Sequence, residues 1–73
     1  MTVTLDATAL RCPLPVLKAR KALAALEPGE RLELIADDPM AAIDVPHFCH
    51  EAGHRLVDAN EADSVFRFVI EKG

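Results

Sequence analysis

The stretch Pro13-Leu14-Pro15-Val16-Leu17-Lys18-Ala19-Arg20-Lys21-Ala22-Leu23-Ala24-Ala25-Leu26-Glu27-Pro28-Gly29-Glu30-Arg31-Leu32-Glu33-Leu34-Ile35-Ala36-Asp37 changes its hydrophobic period once, and that change decides the fold. Val16, Ala19, Leu23 and Leu26 recur at three- and four-residue spacing, the apolar stripe of a helix over 13–26. Pro28-Gly29 stops it. Leu32, Leu34 and Ala36 then alternate with Arg31, Glu33 and Asp37, the pattern of a strand with one face inward, while Ile35 implies partial cover on the other face.

Working outward, Val3 and Leu5 alternate with Thr2 and Thr4 and predict a short strand before the helix. After the second strand, Asp38-Pro39 can open a helical turn, with Asp38 as N-cap. That turn, 40–43, is not expected to run straight on, because Pro46 would remove a helical hydrogen bond and clash with the preceding turn. Asp44 is expected to cap afresh a second segment reaching Ala52, where Val45, Phe48, Cys49 and Ala52 form the apolar stripe and Gly53 the left-handed end. Residues 54–59 and 65–71 read as two strands joined by a polar loop, 60–64. In the last strand Phe66, Phe68 and Ile70 share one face, and Val65, Arg67, Val69 and Glu71 the other.

The order β-α-β-α-β-β predicts an α+β two-layer sandwich formed as a single domain over 1–73. Its four-stranded mixed sheet carries both helices on one face. The first βαβ unit should be parallel and the last pair antiparallel. The other sheet face should be at least partly exposed.

Composition narrows the function classes. The chain has 73 residues, 51% of them hydrophobic and 27% charged, enough for one packed core and too few for a deep substrate pocket. Chemistry is therefore expected at the surface, with walls borrowed from a partner. No stretch has the length of a membrane span, and Met1-Thr2-Val3-Thr4 does not begin a signal peptide, so the cytosol is the expected location and Cys12 and Cys49 the expected free thiols, with a Cys12–Cys49 bridge as the alternative. The net charge of −4 disfavours general nucleic-acid binding. Within 11–21, however, Arg11, Lys18, Arg20 and Lys21 stand without any acid, either as a solvated helix face or as a docking patch for an acidic partner.

Cys12 lies in Arg11-Cys12-Pro13-Leu14-Pro15, at or beside the helix N-cap. Three features make it a candidate nucleophile. The helix dipole and free N–H groups favour a thiolate there. Pro13 and Pro15 stiffen the first turn at little cost while leaving the N–H groups of Leu14 and Val16 available. Arg11 adds positive charge. Cysteine is a poor N-cap, so a purely structural role explains its placement less well. The expected nucleophilic chemistry rests on this sulfur being ionised and within reach of other proteins. Cys49, on the apolar stripe, reads as a core residue, and His47, His50 and His54 are not expected to hold a metal. Asp37, Asp38 and Asp44 can be read as acids serving Cys12 or as a partner surface, but capping explains Asp38 and Asp44 more simply, and Asp37 has no assigned role.

The run from Leu5 to Val16, with its Cys12-Pro13-Leu14-Pro15 core, resembles the Cys-Pro-X-Pro signature of the TusA (SirA-like) sulfur-carrier family. The resemblance continues through Pro28-Gly29-Glu30, Asp37-Asp38-Pro39, residues 44–49, Gly53-His54 and residues 66–70, so it covers nearly the whole chain. It implies the fold read above and a sulfurtransferase that carries sulfur as a persulfide on Cys12. The implied donor is a cysteine desulfurase or rhodanese-like protein. The implied acceptor is a downstream sulfurtransferase (DsrE/TusD-like), toward tRNA 2-thiouridine modification, sulfur oxidation or cofactor biosynthesis such as the molybdenum cofactor. No cofactor is implied, and a monomer is expected of a carrier that shows its thiol to two partners in turn. One departure is Ala9, where the family usually has glycine; if that position has positive φ, alanine costs about 1 kcal/mol or shifts the loop. The competing readings are a non-catalytic interaction module using the basic helix face and the exposed sheet, and a redox sensor using the same thiol.

Overall fold

A computed structural model describes residues 2–73. The elements are β1 (Thr2–Asp6), α1 (Leu14–Ala24), β2 (Arg31–Ala36), α2 (Ala41–Ala52), β3 (Arg55–Ala62) and β4 (Val65–Glu71). The sheet order is β1-β2-β4-β3, with β1 and β2 parallel and the pairs β2–β4 and β3–β4 antiparallel. This is the α+β mixed sheet that the sequence predicts.

The core explains why these residues form these elements. Ala19 and Leu23 of α1, Val45, Phe48 and Cys49 of α2, Leu32, Leu34 and Ala36 of β2, and Phe68 and Ile70 of β4 are buried together in one cluster. Each fully buried large side chain contributes ~1.5–3 kcal/mol. On the other face of the sheet, Glu33 joins a charged pair with Arg67 and accepts the Thr4 hydroxyl at 3.1 Å, and Arg31 lies 3.4 Å from Glu71. That face is solvated and laced with charge, as the alternation along β4 predicts.

Helix α1 is one residue shorter at its start than the periodicity suggests, and its last expected turn is a tightened one. Ala25 and Leu26 donate to the carbonyls of Ala22 and Leu23 three residues back, and Lys72 Nζ donates to the Leu23 carbonyl at 2.7 Å, a cation at the negative helix end. Gly29, with φ +91°, then turns the chain into β2.

Two expectations are corrected. First, residues 41–52 form one helix, and Asp44 lies inside its first turn instead of capping a new segment. Its start is wound by three-residue hydrogen bonds, from Ala41 to Asp38, Ala42 to Pro39 and Ile43 to Met40, before Asp44 N–H bonds to Met40 at four-residue spacing. Pro46 therefore removes one bond near the helix start, from the carbonyl of an exposed Ala42 that water can reach. Burial of Val45, Phe48 and Cys49 outweighs that loss. Second, β3 continues to Ala62, and the hairpin turn is only Asp63-Ser64, with φ of +52° and +64°. Positive φ at both central residues matches the twist of the two strands. Polar Asn60 and Glu61 concealed a strand that is exposed at the sheet edge. Gly53 closes α2 in the left-handed region as expected, with φ +78° and the His54 N–H bonded to the Cys49 carbonyl.

Candidate functional site

Because β1 and β2 run parallel, the loops that follow them leave the sheet at the same end. The loop 7–13 thus meets Asp37 and Asp38, which stand just beyond β2. Asp6 opens that loop by accepting the Thr8 N–H and hydroxyl at 2.9 and 2.6 Å. Both bonds hold the Asp6 carboxyl below the usual carboxylate range. Ala9 follows with φ +67°, and its N–H donates to Asp37 Oδ1 at 2.9 Å. Arg11 Nη1 also reaches Asp37, at 3.0 Å. The Cys12 N–H donates to Asp38 Oδ2 at 2.6 Å, while Asp38 Oδ1 accepts the Met40 N–H at 3.1 Å. Asp38 is buried, and those two bonds hold its carboxyl below the ordinary range.

Cys12 is exposed, one residue before the N-cap Pro13. Its Sγ donates to Asp44 Oδ2 at 2.7 Å. That hydrogen bond, then partial desolvation, then the charges of Asp44 and Asp38, push the thiol pKa above its ordinary value. That direction runs against the thiolate expected from the helix start. Arg11 does not relieve it, because its guanidinium is committed to Asp37 and the Leu10 carbonyl. The Leu14 N–H is likewise not free, since it donates to the Arg11 carbonyl at 2.8 Å. Pro13 serves as the N-cap residue and Pro15 is buried in the first turn of α1, so both shape the helix start.

An open groove of ≈ 420 Å³ runs between α1 and α2, with Cys12 and Asp44 on its wall. Val16, Phe48 and Ala52 give it an apolar lining, and Arg20, His47 and Glu51 contribute charged or titratable groups. Arg20 lies 5.6 Å from the Phe48 ring centroid, a cation–π contact. The basic set of the sequence is thus divided. Arg20 lines the groove beside Cys12, whereas Lys18 and Lys21, three apart on the helix and exposed, do not. Leu14, Leu17, Met40 and Ile43 stand exposed on the first turns of the two helices, Ile43 at 65%.

Sequence reasoning offered Asp37, Asp38 and Asp44 as acids serving Cys12 but set that reading aside, since capping accounts for Asp38 and Asp44 more simply and Asp37 has no local role. The parallel β1–α1–β2 unit carried the missing signal, because it brings 7–13 beside 37–38. Cys49 is buried and free, and burial pushes its thiol up to about 11, as expected of a core cysteine. His47 and His50 are exposed, and among the described residues no cluster of His, Cys, Asp and Glu side chains is placed to hold a metal ion. Nor, among those residues, is any helix long and apolar enough to cross a membrane.

Comparison with known proteins gives one consistent picture. The family described as "Sulfurtransferase TusA" matches residues 3–72. Two relatives from Neisseria meningitidis, one of serogroup A and one of serogroup B, are each 48% identical over 68 residues, covering 93% of this chain and 92% of theirs. Both bear the name "Putative sulfur carrier protein". A crystal structure of a SirA-like protein from Desulfitobacterium hafniense superposes with a TM-score of 0.86 at 31% identity, covering 100% of this chain and 99% of that one.

Proposed function

We propose, from the premise that this chain belongs to the sulfurtransferase TusA family, that Cys12 carries sulfane sulfur between two protein partners. The observation that carries the reading is the exposure of Cys12 at the mouth of a groove, with the chain's second cysteine sealed in the core. One thiol is then available for transfer and none stands ready to resolve it internally.

The chemistry needs no cofactor. A donor protein presents a persulfide, R–S–S–H. Cys12 Sγ attacks the outer sulfur as a thiolate, the donor's S–S bond breaks, and the donor cysteine leaves with the electron pair. It takes up the proton that Cys12 gave up, so the products are R–SH and a Cys12 persulfide, and no oxidant or reductant is consumed. Delivery repeats the step with Cys12 as donor. A cysteine desulfurase or a rhodanese-like protein suits the first step, and a downstream DsrE/TusD-like sulfurtransferase the second, feeding tRNA thiolation, sulfur oxidation or cofactor biosynthesis. Because the raised thiol pKa leaves the free protein in its less reactive form, docking has to help ionise the sulfur. The exposed Leu14, Leu17, Met40 and Ile43, and Arg20 on the groove, offer side chains for that docking.

The test is mass analysis after incubation with a cysteine desulfurase and cysteine, or with a rhodanese and thiosulfate. Wild type and Cys49→Ser should gain one sulfur atom, and Cys12→Ser none. Failure of wild type with both donor classes removes the reading. Full complementation of a deletion by Cys12→Ser would favour a non-catalytic interaction module using the basic helix face and the exposed sheet.

A further inference from the structure

The thiol of Cys12 has one side-chain partner, Asp44 Oδ2 at 2.7 Å, delivered by the first turn of α2. The charged groups around the pair come from every element that meets it. Asp38 lies below, bonded to the Cys12 backbone; Arg11 is held on Asp37; Arg20, His47 and Glu51 line the groove. No cation lies within salt-bridge distance of Asp44 among the described residues, so the Cys12 S–H is the hydrogen bond its side chain makes. A protonated sulfur can donate that bond; a thiolate or a sulfur carrying a second sulfur cannot, and its negative charge would face two carboxylates.

Resting on the carrier reading above, we infer that Asp44 is a positioning residue that holds the unloaded Cys12 sulfur in its protonated, unreactive form, and that loading breaks the contact. Between partners the empty carrier is then shielded from alkylation, peroxide and adventitious thiol exchange. Loading moves the Sγ proton to the departing donor cysteine, so Sγ has no proton left to donate. The new terminal sulfur, more acidic than a thiol, gives its own proton to water, and the resulting persulfide anion is repelled by Asp44 and turns outward, where an acceptor can take it. One carboxylate thereby opposes reaction in the empty state and favours presentation in the loaded state.

The experiment measures the iodoacetamide alkylation rate of Cys12 from pH 5 to 10 by peptide mass, in wild type, Asp44→Asn and Asp44→Ala. Circular dichroism verifies the fold, and the second variant guards against an amide that still accepts the bond. Both variants should react roughly tenfold faster than wild type at pH 7, with the whole profile moved to lower pH. An unmoved profile, or slower alkylation as for a lost base, overturns the inference. Sulfur uptake from a desulfurase is scored separately. Uptake by wild type with unmoved variant profiles sinks only the role of Asp44. Moved profiles with no uptake by wild type from any donor sink only the carrier reading and leave Asp44 as the guard of a thiol with another use.

Discussion

The buried Asp38 carboxylate fastens Cys12 to the start of α2: one oxygen accepts the Cys12 N–H at 2.6 Å and the other the Met40 N–H at 3.1 Å. The position of the thiol therefore depends on a side chain that titrates. Its folded pKa lies below the ordinary 3.8, so it contributes stability that is fully present above that value and is lost as pH falls through the lower folded one. Urea unfolding of wild type and Asp38→Asn between pH 6 and 2 checks this. Wild type should be the more stable near neutrality, and the gap should close in acid; a gap independent of pH would count against it.

Ala9 holds φ +67° in the loop that places Cys12. A left-handed conformation costs an L-residue roughly 1–2 kcal/mol, part of which glycine returns as unfolded-state entropy. Ala9→Gly should stabilise the protein by roughly 0.5–1 kcal/mol, read as a higher urea midpoint at unchanged m-value. A destabilised variant would mean that the alanine methyl makes a contact worth more than the backbone strain.

Cys49 should resist reagents that modify Cys12. Burial pushes it up to about 11, so iodoacetamide at pH 8 should label Cys12 alone in the folded protein and both cysteines in urea. Because that folded pKa is raised, the neutral thiol contributes stability below the ordinary thiol value of 9.0, and the contribution falls away as pH rises toward 11. Cys49→Ser should cost about 1–3 kcal/mol through a buried hydroxyl. Equal labelling of both cysteines under native conditions would contradict the packing of α2.

Arg20 lies against Phe48 on the groove that holds Cys12, while Lys18 and Lys21 point elsewhere. Arg20→Glu should slow sulfur uptake from a donor protein several-fold at low salt, and the deficit should shrink at high ionic strength. The loss of stability should be only about 0.5–1 kcal/mol, the worth of an exposed cation–π contact. If Lys21→Glu slows uptake as much as Arg20→Glu, the docking surface lies along the whole helix and not at the groove.

The elements whose side chains follow one strong period were legible without coordinates. Leu32, Leu34 and Ala36 in β2, and Phe66, Phe68 and Ile70 in β4, show their inward faces by alternation, because a strand turns each successive side chain to the opposite side. Cys49 was readable as core for the matching helical reason. Less legible were α2 and the edge strand β3. Pro46 argued for a break that burial of Phe48 and Cys49 overrides, and Asn60 and Glu61 resemble a loop although they pair with β4.

From its sequence alone this protein declares its sheet, its two helices and the single cysteine at the head of the first. What surrounds that cysteine was decided elsewhere. Asp38 and Asp44 lie 26 and 32 residues further along the chain, and only the parallel pairing of β1 with β2 and the docking of α2 bring them to its backbone and its sulfur. Local rules assign a helix start to a cysteine and predict an ionised thiol. The fold adds the hydrogen bond to Asp44, some desolvation and the charges of two carboxylates, all favouring the protonated sulfur, because these contacts are made across space and not along the sequence.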